Sequence, residues 1–121
     1  MENKKTLIIG ATTNPARYAS LAAHRLVQSG HDIVNIGIRK GEVADVAIQA
    51  AGDVLPDIHT ITLYIGPQLQ PQYYDYILQT KPKRIIFNPG TENPELADLA
   101  KANGIETLDA CTLVLLGTGQ Y

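Results

Sequence analysis

A chain of 121 residues with 45% hydrophobic composition can bury one core and is too short for a second domain of comparable size, so one domain over residues 1–121 is expected. The formal charge of −2 and pI near 5.8 leave no basic excess to hold a nucleic-acid backbone or an anionic membrane. No apolar run approaches the ~20 residues needed to span a bilayer, the polar start Met1 to Lys5 leads straight into a strand, and Cys111 has no disulfide partner; a reducing, cytoplasmic setting is expected.

Leu7-Ile8-Ile9 is a continuous apolar run, as a strand covered on both faces requires, and Gly10 lets the backbone turn close to whatever lies above the strand end. Asn14 and Pro15 supply a cap and a first-turn proline for the helix that follows, with Ala19, Ala22, Ala23, Leu26 and Val27 on its inner face and Gly30 past its end. Residues 31–38 read as a second strand, followed at once by Arg39-Lys40. Between Gly41 and Asp57 the spacing of Val43, Val46, Ala47, Ala50 and Ala51 predicts a short helix or irregular cover. Thr60 to Ile65 is a third strand stopped by Gly66-Pro67. Gln70-Pro71 opens a helix with Tyr74, Ile77 and Leu78 inward, and Arg84 to Asn88 is a fourth strand ended by Pro89-Gly90. Asn93-Pro94-Glu95 starts a helix whose Leu96, Leu99 and Ala100 face the core, and Ile105 to Leu108 is a fifth strand. Ala110 to Leu116 is apolar but too short for its period to separate helix from strand.

This alternation predicts an α/β architecture: a Rossmann-like, doubly wound parallel sheet of five strands with helices on both faces. Ligands of such sheets bind beyond the carboxyl ends of the strands, where the strand order reverses. The turns on that rim hold Thr12-Thr13-Asn14, Arg39-Lys40, Gly66-Pro67-Gln68 and Asn88-Pro89-Gly90. A helix starting near Pro15 would aim free N–H groups and its positive end at the rim, which suits phosphate. Gly10 stands alone where a dinucleotide site has G-x-G-x-x-G, and Ile38-Arg39-Lys40 replaces the carboxylate that would hold a ribose hydroxyl; two cations there suit a phosphorylated ribose. Arg17, a cation at the positive end of a helix, also asks for an anion nearby.

The run GATTNPARYAS, the basic end of the second strand, the TLYIGP and NPGTENPE turns and the late LDACT resemble the small stand-alone CoA-binding proteins. Their fold is similar to the CoA-binding domain of the succinyl-CoA ligase α subunit. The resemblance covers nearly the whole chain and implies CoA or an acyl-CoA as ligand. It implies that the backbone around Thr12, Thr13 and Asn14 holds the diphosphate and that Arg39 and Lys40 meet the 3′-phosphate. Tyr64-Ile65-Gly66 and Asn88-Pro89-Gly90 would wall the adenine and pantetheine sides. Gly10, Ala11, Arg17, Tyr18 and Ile38 complete the candidate binding set. The chain departs from the family in having Ile36-Gly37-Ile38 before the basic pair, where Asn-Pro is common, and Asn88-Pro89-Gly90 where a Gln-containing turn is frequent.

The remaining reactive groups have plainer explanations. Cys111 reads as a small core residue, and Asp109 nearby would oppose thiolate formation. His24, His31 and His59 lack metal-ligand spacing, and Asp53, Asp57, Glu92 and Glu95 suit a loop and a helix start. Tyr73, Tyr74 and Tyr76 occupy neighbouring helical positions that cannot all be buried, which hints at a surface for a protein partner or a second copy. The expected function is CoA binding without catalytic or metal residues. The alternatives are an NADP- or acyl-CoA-dependent enzyme using Thr13 or Asn88, and an interaction module with a vestigial nucleotide site.

Overall fold

The computed structural model describes residues 2–121. In chain order it contains β1 (Thr6–Ile9), α1 (Tyr18–Gln28), β2 (Ile33–Ile36), β3 (Glu42–Val43), β4 (Val46–Gln49) and β5 (Thr60–Leu63). Two 3-10 turns, Pro67–Leu69 and Pro71–Tyr73, lead into α2 (Tyr74–Thr80), then β6 (Arg84–Phe87), α3 (Pro94–Ala102), β7 (Glu106–Asp109) and α4 (Thr112–Gly117). The strands form one seven-stranded sheet in the order β3-β4-β2-β1-β5-β6-β7. All pairs are parallel except the β3–β4 hairpin, so the class is α/β and Rossmann-like, with seven strands in place of the expected five. The chain first winds outward from β1 through β2 and β4, then returns to pair β5 with β1 on its other side. The strand order therefore reverses at β1 and β5.

Alternate residues of the central strands enter two cores. Leu7, Ile9, Ile36, Ile61, Leu63 and Phe87 pack with Ile77 of α2 and Leu96 and Ala100 of α3. On the opposite face Ile8, Ile33, Ile48 and Ile86 pack with Ala23 and Leu26 of α1, Leu115 and Leu116 of α4, and Tyr121. That second face also buries polar side chains. Thr62 Oγ1 pairs with Thr112 Oγ1 at 2.8 Å, and Arg84 Nε donates to Thr60 Oγ1 at 2.8 Å, which satisfies groups that would otherwise be costly to desolvate.

Several expectations need correction. The span 41–57 is no helix: Ala44 and Asp45 have φ of 54° and 63° and close the two-residue β3–β4 turn. Asn35 holds that hairpin against β2, its Nδ2 donating to the carbonyls of Val43 (3.2 Å) and Val46 (3.1 Å). Helix α1 begins at Tyr18 rather than near Pro15, because Asn14 caps a separate turn: Ala16 N–H donates to Asn14 Oδ1 (3.0 Å) and Arg17 N–H to the Asn14 carbonyl (3.1 Å). Val27 and Leu99, expected inside, are exposed. Tyr73, Tyr74 and Tyr76 are each partly buried and pack against the core that α2 and α3 share. The open segment after Ala110 is helical from Thr112. No helix of the described residues is long and apolar enough to cross a membrane.

Candidate functional site

Beyond the carboxyl ends of β1 and β5 lies a cleft of about 730 Å³. Its centre is made by the turn after β1, which two glycines allow to sit low between its neighbours. A Cβ on Gly10, whose φ is 101°, would lie 3.0 Å from the Tyr64 carbonyl; a Cβ on Gly37 would lie 2.5 Å from the Ala11 carbonyl oxygen. The backbone thus occupies space that side chains would fill elsewhere.

The amides of this turn divide into engaged and free. Gly10 and Ala11 N–H both donate to the Ile36 carbonyl at 2.9 Å, and Asn14 N–H donates to Thr12 Oγ1 at 3.1 Å. Among the described residues, Thr12, Thr13, Tyr18 and Ala19 N–H groups have no acceptor. Two belong to the turn and two to the first turn of α1, whose cap residue Arg17 offers no side-chain cap. The residues that carry these free amides and begin α1 thus all line one opening, with Arg17 and Arg39 also on its lining and no carboxylate among the lining residues. A smaller groove of about 340 Å³ between α1 and the β3–β4 turn carries Glu42 and Asp45, the wrong sign for an anion.

The cleft gathers most of the expected residues. Gly10, Ala11, Thr12, Thr13, Asn14, Arg17 and Tyr18 line it from the β1 side, Ile38 and Arg39 from the β2 side, and Tyr64, Ile65, Gly66, Pro89 and Gly90 from β5 and β6. Lys40 is exposed and lies outside the lining. Asn88 also lies outside it, only 2% exposed. Its Nδ2 donates to Thr62 Oγ1 (2.6 Å) and the Leu63 carbonyl (2.8 Å), while Oδ1 accepts from Thr112 N–H (2.9 Å). Asn88 therefore ties β5, β6 and α4 together beneath the site and presents nothing to it.

Tyr64 lines the cleft, yet its hydroxyl is buried without a hydrogen-bond partner among the described residues. Burial pushes its phenol up to about 12, with the nearby Thr112 and Thr62 hydroxyls opposing part of the rise. At neutral pH the group stays protonated and can donate but not act as a base.

Gln70 was not readable as a site residue. Fully buried, it donates from Nε2 to the carbonyls of Ile65 (3.0 Å) and Thr91 (2.7 Å), locking the loop after β5 to the loop after β6. Asn93 Nδ2 donates to Gln70 Oε1 (2.9 Å) and to the Tyr74 hydroxyl (2.8 Å), while its Oδ1 caps α3 through Glu95 and Leu96 N–H. A glutamine read as the opening of a helix gives no sign of such a bridge; only the fold reveals it. Leu69, Gln72, Tyr73 and Thr91 also line the cleft without a sequence signal.

The family model described as "CoA binding domain" matches residues 4–117. No curated protein matches the chain. Among solved structures, an uncharacterized protein known from a crystal structure is 50% identical, covers 100% of both chains and superposes with a TM-score of 0.97. A hypothetical protein from Pyrococcus horikoshii OT3 is 23% identical over 93% of this chain and 81% of its own, with a TM-score of 0.84. A protein from Thermus thermophilus is 17% identical over 98% of this chain and 91% of its own, with a TM-score of 0.83. The last two likenesses bear on fold alone.

Proposed function

The chain belongs to the CoA-binding domain family, and from that premise we propose that the cleft binds CoA or an acyl-CoA through its diphosphate and 3′-phosphate, without chemistry of its own. The observation that carries this reading is the convergence of four free amides and two arginines on a cleft whose lining has no carboxylate. In this reading Thr12, Thr13, Tyr18 and Ala19 N–H groups donate to the diphosphate oxygens at the positive end of α1, and Arg17 adds charge there. Arg39 meets the 3′-phosphate, a task suited to a guanidinium that can donate two parallel hydrogen bonds. Ile38, 91% exposed beside it, offers an apolar face to the adenine. Tyr64, Ile65, Gly66, Pro89 and Gly90 wall the pantetheine side, with Asn88 bracing the strands beneath them, while Lys40 adds positive charge next to Arg39 just outside the lining. The lining lacks Asp, Glu, His, Lys and Cys, which supports a binding role over acid-base catalysis.

Calorimetric titration with CoA and dephospho-CoA tests the reading. A charge-assisted hydrogen bond contributes roughly 1.5–3 kcal/mol, so CoA should bind about tenfold to a hundredfold more tightly, and Arg39→Ala should remove that difference. Equal affinity of the unmodified protein for both ligands would contradict the role given to Arg39.

A further inference from the structure

Charge is divided unevenly across the cleft. Arg17, Arg39 and the free amides lie on its β1–β2 side, whereas Ile65, Leu69, Tyr73 and Pro89 on the β5–β6 side are accompanied by no charged side chain. On that uncharged side Leu69 is 50% exposed, an apolar side chain held open on the cleft lining beside Ile65, Tyr73 and Pro89. Leu69 is not there through loop laxity. Its N–H donates to the Gly66 carbonyl (3.0 Å), the buried Gln70 beside it is bonded to both rim loops, and Gln72 Nε2 donates to its carbonyl (3.1 Å). The fold fixes an apolar lip in place.

Resting on the CoA reading, we propose that the cleft is built for an acyl thioester in preference to free CoA, with the acyl group covering the lip formed by Leu69 on the β5–β6 side. The polarity of the ligand follows from the charges: a phosphorylated adenosine directed to Arg39 and a diphosphate at the start of α1 leave the sulfur end to the β5–β6 side. A free thiol would leave Leu69 in water. A short or medium saturated acyl chain removes it from water, and each newly covered methylene favours binding by about fourfold, the factor equivalent to about 0.8 kcal/mol.

Calorimetry with CoA, butyryl-CoA and octanoyl-CoA is the test, read as the ratio of each acyl-CoA affinity to the CoA affinity within one protein. Affinity should rise with chain length, by about tenfold or more from CoA to octanoyl-CoA. Leu69→Ser should shrink that ratio to below about threefold, while Val114→Ser, at a comparably exposed apolar position on α4 outside the cleft, should leave it intact. Both substitutions are at the surface, and circular dichroism verifies their folding. Equal affinity for CoA and octanoyl-CoA, with discrimination against dephospho-CoA retained, would overturn the acyl proposal and leave the CoA reading standing. A chain-length ratio that survives Leu69→Ser would overturn the assigned lip, as would one lost equally in Val114→Ser, which would indicate unspecific apolar adsorption. No binding of CoA or any acyl-CoA would defeat both readings.

Discussion

At the scale of single residues, rim position and access to the cleft part company. Asn88 and Gly90 lie in the same turn, yet Gly90 lines the cleft while the Asn88 side chain is directed into the protein, where its three hydrogen bonds satisfy Thr62, the Leu63 carbonyl and Thr112 N–H. Truncating it leaves buried polar groups unpaired, each costing about 1–3 kcal/mol. Asn88→Ala should therefore lower unfolding free energy by roughly 2–4 kcal/mol in denaturant titration, while CoA affinity of the folded fraction changes little. A stable Asn88→Ala protein that has lost CoA binding would mean that the side chain meets the ligand after all. Arg39 has the opposite character, exposed on the lining and free of any buried bond, so its loss should affect binding and leave stability almost untouched.

At the scale of elements, the β3–β4 hairpin shows what local pattern can and cannot carry. Its turn places Ala44 and Asp45 at φ of 54° and 63°, a region in which residues other than glycine and asparagine are disfavoured. The double substitution Ala44→Asn, Asp45→Gly should raise stability by about 1 kcal/mol, seen as a higher midpoint in urea; a lower midpoint would show that the native turn residues make compensating contacts. The same unfavourable pair hid the hairpin from the sequence, since Ala-Asp carries no turn signal and Val43, Val46 and Ala47 fit a helical spacing as well as a strand. What decides between them is remote, the two bonds from Asn35 of β2. By contrast Leu7-Ile8-Ile9 and Ile85-Ile86-Phe87, each followed by a glycine or proline turn, were legible because burial on both faces leaves an uninterrupted apolar signature. Asn93-Pro94-Glu95 was legible because its cap is wholly local. The start of α1 was not, as Asn14 can cap either a helix or the short turn it closes in the structure.

At the scale of the whole molecule, the two ends of the parallel strands do different work. The amino ends are pinned by buried polar contacts. Lys4 N–H donates to His31 Nδ1 (2.9 Å), the His31 and Tyr121 rings pack 5.0 Å apart, and the Arg84 guanidinium lies 4.4 Å from the centre of the Tyr121 ring. Burial, with help from the Lys4 and Arg84 charges, holds His31 below its ordinary 6.5, and His59 is lowered for similar reasons. The folded protein thus favours neutral imidazoles. Their contribution to stability is complete above the unfolded value of 6.5 and is lost as pH falls through the depressed folded values. Unfolding free energy should decline on acidification below that point, and His31→Asn, which keeps an acceptor for Lys4 N–H but cannot titrate, should decline less steeply. Identical slopes would remove His31 from the account.

The carboxyl ends instead leave donors unspent, and those donors are the core of the functional argument. Amide spectra of uniformly 15N-labelled protein, followed residue by residue as CoA is added to saturation, test it most directly. The largest shifts should fall on Thr12, Thr13, Tyr18 and Ala19, with Arg39 responding to CoA and not to dephospho-CoA. A saturable titration that moves other amides and leaves those four unchanged would contradict the assigned anion site.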